Sequence, residues 1–137
     1  MNEIQKYRGE YFNLNLDQVI DYEKFSIFFI IYHSVKIEGC SLSETDTRIL
    51  LDKDITAKGK PLSDHLMVKD HYNAFMFLKD KAALKTKLSV EMIKETQSIL
   101  MKNTGALASS VAGNFDTSKG DFRLAQVYVD KKYFPRL

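Results

Sequence analysis

The sequence predicts a mainly α-helical fold with a small β-hairpin near its C-terminal end. Three observations predict it. Apolar residues recur at steps close to three and four over two long stretches, Leu16–Glu38 and Leu62–Ala83, which is the period of an amphipathic helix. Cap-type residues, proline and glycine stand where helices would begin and end. Alternation of the kind a strand needs appears only late, at Leu124–Val129. With 137 residues, 45% apolar and 28% charged, one domain with a real core is expected and wholesale disorder is excluded.

The elements follow in order. Residues 1–15 read as a partly ordered N-terminal arm with an aromatic cluster at Tyr7, Tyr11 and Phe12. Residues 16–137 read as the helical region proper. Its first helix spans Leu16–Glu38, with Asn15 as N-cap, Asp17 in the first turn and Gly39 as a left-handed stop. Ser41 and Glu44 fit a capping box for a short helix ending near Leu51. Lys53–Lys60, carrying Gly59, reads as a loop. Pro61 then opens a helix to about Ala83, with Leu62, Leu66, Tyr72, Phe75 and Leu78 as its apolar stripe. Ser89 caps a fourth helix to about Asn103, with Leu88 and Ile93 spaced for a hydrophobic staple. Gly105 stops it, and 104–121 reads as loop. Val127 and Val129 share one strand face, with Gln126 and Tyr128 on the other. Asp130-Lys131-Lys132 forms a turn, and Tyr133-Phe134-Pro135 starts a return strand.

Several function classes drop out. Twenty basic against eighteen acidic residues give +2, which supplies no global attraction to nucleic acid or an anionic membrane. The most apolar stretch, Phe25–Tyr32, is far shorter than the ~20 residues that span a bilayer. No signal peptide is expected, and a single cysteine suits a reducing compartment, so a cytoplasmic location is the default. The three histidines and one cysteine match no zinc spacing, and no metal ligand is assigned. No glycine-rich phosphate loop is present; Gly113 and Gly120 read as bracketing a plain connection. His65 and His71, six residues apart, do not share a helix face. His33 reads as a hydrogen-bonded, partly buried side chain. Cys40 follows a helix C-terminus, whose partial negative charge disfavours a thiolate. Ser34 and Glu38, four residues apart, share a face of the last turn. Glu38 is then either a solvated acid or a carboxylate awaiting an arginine, and spacing alone favours the solvated acid.

One ordered set of residues adds to this reading. Ser34-Val-Lys-Ile-Glu38-Gly39 fits Ser/Thr-x-x-x-Glu-Gly/Asn. It is followed by Leu42, Glu44 and Thr45, by Gly59-Lys60-Pro61-Leu62, and by Asp64-His65-Leu66. Val68, Asn73-Ala74 and Ile93-Lys94-Glu95 come next, and Gly120-Asp121-Phe122-Arg123 leads into Val127-Tyr128-Val129. Over roughly residues 20–135 this order resembles the N-terminal part of Fic (Fido) domain proteins, which transfer AMP from ATP to protein hydroxyls. The resemblance implies a helical Fic-like bundle in which Ser34, Glu38 and Gly39 belong to an inhibitory helix. Glu38 would pair with the arginine that otherwise holds the ATP γ-phosphate, since a carboxylate and a phosphate compete for one guanidinium. It also implies that Val127, Tyr128 and Val129 form half of a flap that docks target segments by main-chain pairing.

The sequence departs from the family at its catalytic loop, His-x-Phe-x-x-Gly-Asn-Gly-Arg, which none of the three histidines begins. No catalytic residue is assigned. The relative position of Gln97 carries histidine in many members. ATP and magnesium belong to the parent reaction, and productive binding by this chain alone is not expected. The resulting reading is the regulatory N-terminal part of a Fic-type AMP transferase, inactive alone, as a truncated product or a natural short form. A stand-alone antitoxin-like inhibitor and a helical interaction module without activity stay open. Expected partners are a catalytic Fic core, a protein target, or a second copy. Self-association is expected through the Phe25–Tyr32 run, the Phe75–Leu78 stripe and an open strand edge.

Overall fold

A computed structural model describes residues 2–124, 127–129 and 132–134. Among the described residues five α-helices carry the fold: α1 (Glu3–Asn13), α2 (Tyr22–Ile37), α3 (Glu44–Lys53), α4 (Leu62–Ala83) and α5 (Val90–Leu100). Two antiparallel two-stranded ribbons follow, β1 (Leu107–Ser110) with β2 (Gly113–Asp116), and β3 (Val127–Val129) with β4 (Lys132–Phe134). The mainly helical class with a late hairpin is therefore as the sequence predicts. Of the expected last strand and turn, Ala125, Gln126, Asp130, Lys131 and Pro135 lie outside the described residues.

The core lies where α2, α3 and α4 meet. Ile31 and Val35 of α2, Cys40 and Leu42 of the connection, Leu50 of α3 and Val68 of α4 form one buried cluster. A smaller buried set, Ala74, Met92 and Phe115, falls on α4, α5 and β2. On α4 the buried face differs from the expected stripe. His65, Val68, Asp70 and Ala74 are buried, whereas Leu62 and Leu78 are exposed.

The long first helix is broken. Asn15 adopts a left-handed conformation (φ 46°), a short 3-10 turn covers Leu16–Gln18, and Asp21 caps α2 by accepting from the Lys24 N–H at 2.9 Å. Val19 and Ile20 continue the apolar period but remain exposed, so no packed face holds that segment in a continuous helix. The arm before it is helical, as α1.

The α3 cap also moves. Ser43, not Ser41, is the N-cap, and its partner in the capping box is Asp46, not Glu44. Leu42 decides this: it is fully buried in front of the helix, so the helix starts after it. At α5, Ser89 caps as expected, accepting from Met92 N–H at 3.2 Å. The expected staple is absent, because Leu88 and Ile93 are both exposed. The helix ends at Leu100 rather than near Asn103, and the stretch read as loop contains β1, β2 and a 3-10 turn at Thr117–Lys119.

Asp70 ties α4 to the chain beyond α5. Its carboxylate is 1% exposed and accepts from the backbone N–H of Asn103 at 2.8 Å and from its side-chain amide at 2.7 Å. These are charge-assisted bonds to a buried carboxylate. Asp70→Ala is expected to lower stability by about 2–3 kcal/mol, because two such bonds are lost together. Chemical denaturation would measure it, and an unchanged midpoint would show the pair to be energetically neutral.

Candidate functional site

The C-terminal end of α2 gathers the first set of predicted site residues. Glu38 is the C-cap and Gly39 (φ 91°) the residue beyond it. The Gly39 N–H donates to Lys36 C=O at 3.1 Å and the Cys40 N–H to Val35 C=O at 3.0 Å. That paired closure is a Schellman motif, with Cys40 and Val35 both buried as its apolar contact. Only glycine adopts this φ without strain. Ser34 lies one turn earlier, and its hydroxyl donates to Ile30 C=O at 2.9 Å.

Neighbouring elements clamp this end. The Ser41 N–H donates to Asp64 Oδ2 at 2.7 Å, and Lys60 Nζ donates to Ser41 C=O at 2.9 Å. His65 is buried and holds the loop before α4. Its Nε2 accepts from the Ala57 N–H at 2.8 Å, so the proton sits on Nδ1, which donates to Pro61 C=O at 2.8 Å. Asp64, His65 and Lys60 thus position the segment that carries Glu38. Their order in the chain was visible in the sequence, but their role was not, since it depends on long-range packing.

Glu38 itself is exposed. Among the described residues its carboxylate makes no hydrogen bond or ion pair, so it is presented to the surroundings on a rigid mount. Burial pushes the Cys40 thiol up from its ordinary value, which agrees with a structural rather than nucleophilic cysteine. His33 is exposed instead of partly buried, with its ring edge-on to Phe29 at 4.2 Å and Tyr32 at 4.9 Å. Val127, Tyr128 and Val129 form a separate element, pairing with Phe134, Tyr133 and Lys132.

Hydrogen bonds from Ser41 hold the Asp64 carboxyl below the usual carboxylate range, and hydrogen bonds from Ser43 and Ser118 do the same for Asp46 and Asp116. A depressed folded-state value gives stability that is present above the unfolded value and lost as pH falls through the folded one. The melting temperature is therefore expected to hold from neutral pH to about 4 and to fall below it. A melting temperature that stays constant down to about pH 3 would show that these bonds contribute nothing.

Two open clefts, of about 560 and 400 Å3, share Asp21, Lys24, Phe28 and Asp52. They lie toward the opposite end of α2, some 20 Å from Glu38 at 1.5 Å per residue. Much of their charge is already taken up, by Lys24 with Asp52 and Lys79 with Glu23. Among the described residues no three His, Cys, Asp or Glu side chains gather to hold a metal. No helix among the described residues is long and apolar enough to cross a membrane.

Curated relatives link this chain to the Fic protein adenylyltransferases. It is 32% identical over 100 residues to the protein adenylyltransferases Fic of Aedes aegypti and of Culex quinquefasciatus. It is 31% identical over 105 residues to protein adenylyltransferase fic-1 of Caenorhabditis briggsae. These alignments cover 72–76% of this chain but only 18–19% of those proteins. The chain thus spans about a fifth of the length of the Fic relatives it matches. No family model matches it.

Proposed function

We propose that this chain is the regulatory N-terminal part of a Fic-type protein AMP transferase, with α2 as an inhibitory helix and Glu38 as its inhibitory group. The observation that carries the reading is the exposed Glu38 carboxylate, without a partner among the described residues and fixed at the end of α2 by a Schellman closure. A carboxylate held this way can accept a bidentate bond from an arginine at little ordering cost. The similarity to proteins named protein adenylyltransferase Fic supports the same assignment.

In this reading the reaction is AMP transfer from ATP with a divalent metal, and the catalytic histidine, glycine loop and arginine come from a catalytic Fic core outside this chain. This chain supplies regulation and does not transfer AMP alone. Glu38 neutralises the arginine that would grip the γ-phosphate. Ser34 closes its hydroxyl on its own helix one turn earlier, and Gly39 sets the chain direction after Glu38. The outer edge of β3, at Val127–Val129, offers main-chain groups to an extended target segment. Phe25 and Phe29, stacked at 6.2 Å and both exposed, give α2 an apolar face for the catalytic core to cover.

The test is labelled-ATP transfer in a form of the protein that carries the catalytic loop, comparing the parent with Glu38→Gly. A rise supports an inhibitory glutamate. Equal transfer by both forms would remove the assignment.

A further inference from the structure

The helix α1 poses a problem of its own. It is helical over eleven residues, yet every residue from Asn2 to Asn15 is exposed. A helix this short is marginal in water without tertiary packing, and Gly9 in its middle weakens it further. Its apolar side chains are nevertheless ordered by position. Ile4, Tyr7, Tyr11 and Leu14 follow steps of three, four and three, the a and d positions of a heptad. They are between 48% and 71% exposed, so the chain's own core does not use this seam.

The charges beside the seam choose the partner and the direction. In that register Glu3 and Glu10 are g positions and Arg8 is an e position. Two copies aligned in parallel set Glu3 of each against Arg8 of the other, the usual g to e pairing. An antiparallel pair would set Glu3 against Glu10, like charge against like. Glu10 also lies 4.0 Å from Lys6 on its own helix. The two acids and two bases of α1 cancel, which leaves no attraction to an anionic bilayer.

We propose that α1 is a parallel dimerisation helix, pairing two copies of this chain through Ile4, Tyr7, Tyr11 and Leu14 with reciprocal Glu3–Arg8 ion pairs. At roughly 150–250 Å2 per large side chain, the four exposed fractions amount to about 500 Å2 per copy, hence about 1,000 Å2 in all, at the lower edge of specific interfaces. The dimer is accordingly reversible. The Tyr11 hydroxyl, 3.3 Å from that of Tyr22, keeps a polar partner at the edge of the seam.

The experiment is sedimentation of the full 137-residue chain from low micromolar concentration upward, with circular dichroism alongside. The parent should pass from monomer to dimer. Tyr7→Glu should abolish the dimer and reduce helicity while leaving the melting of the core unchanged, because α1 buries nothing there. Glu3→Lys alone and Arg8→Glu alone should each weaken dimerisation about ten-fold, as two attractive pairs become repulsive. The double variant should return to within about three-fold of the parent. A parent that stays monomeric, a dimer that survives Tyr7→Glu, or a double variant as weak as the singles would each overturn the proposal. So would flotation of the monomer with phosphatidylserine vesicles through the same residues.

Discussion

Gly120→Ala is expected to lower the melting temperature by about 10 °C, the largest stability effect of any single glycine in the chain. Gly120 ends the 3-10 turn after β2 with φ 74°, and a methyl group there would lie 2.0 Å from the Lys94 carbonyl oxygen and 2.9 Å from its carbon. The obstacle is helix backbone, which cannot swing aside as a side chain can. The left-handed conformation costs about 1–2 kcal/mol for a residue with a Cβ. Separating the turn from α5 adds about 1–3 kcal/mol of overpacking strain. Against a total stability of about 5–15 kcal/mol for a domain, that is a large fraction. Gly9 is the internal control, since nothing lies within 4 Å of its added Cβ; Gly9→Ala should leave the melting of the core where it is. A Gly120→Ala protein that melts like the parent would mean that α5 and the turn do not approach this closely in solution.

That close approach explains why the segment leading to β3 carries glycine there, and it also shows what the sequence could not convey. From spacing alone, Gly113 and Gly120 read as a plain connection. A backbone-to-backbone contact between Gly120 and Lys94 joins residues far apart in the chain, and no local pattern encodes it. Where the determinants are local, the reading and the structure agree: Gly39 as the left-handed stop of α2, Ser89 as the cap of α5 and Pro61 before α4. Where two local signals compete, packing decides. Ser41-Glu44 and Ser43-Asp46 both have capping-box spacing, and the burial of Leu42 selects the second. Val19 and Ile20 keep the helical period across a real break, because periodicity does not register that their side chains face solvent. The β1–β2 hairpin turns through Val111-Ala112, residues without the glycine or asparagine that marks a tight turn. The candidate site divides in the same way. Ser34, Glu38 and Gly39 were legible as a motif on one helix end. Asp64, Lys60 and His65, which clamp that end, depend on tertiary contacts.

In a form of the protein that contains the catalytic loop, Glu38→Gly is expected to raise AMP transfer at least ten-fold. The factor follows from the competition proposed for the arginine: a competitor worth about 1.4 kcal/mol already accounts for one order of magnitude, and a charge-assisted bidentate bond supplies that much. The same change should hardly affect the stability of the 137-residue chain. Glu38 is exposed, lacks a partner among the described residues and stands at a helix C-terminus, where a negative charge costs about 0.3–1 kcal/mol. Removing it offsets most of the roughly 1 kcal/mol of backbone freedom that glycine introduces. The two measurements therefore separate a regulatory group from a structural one. A large gain in transfer with an unchanged melting temperature assigns Glu38 to an interaction made only when the catalytic arginine is present. A marked loss of stability with no gain in transfer would make Glu38 part of the α2 closure itself, and the inhibitory assignment would fall.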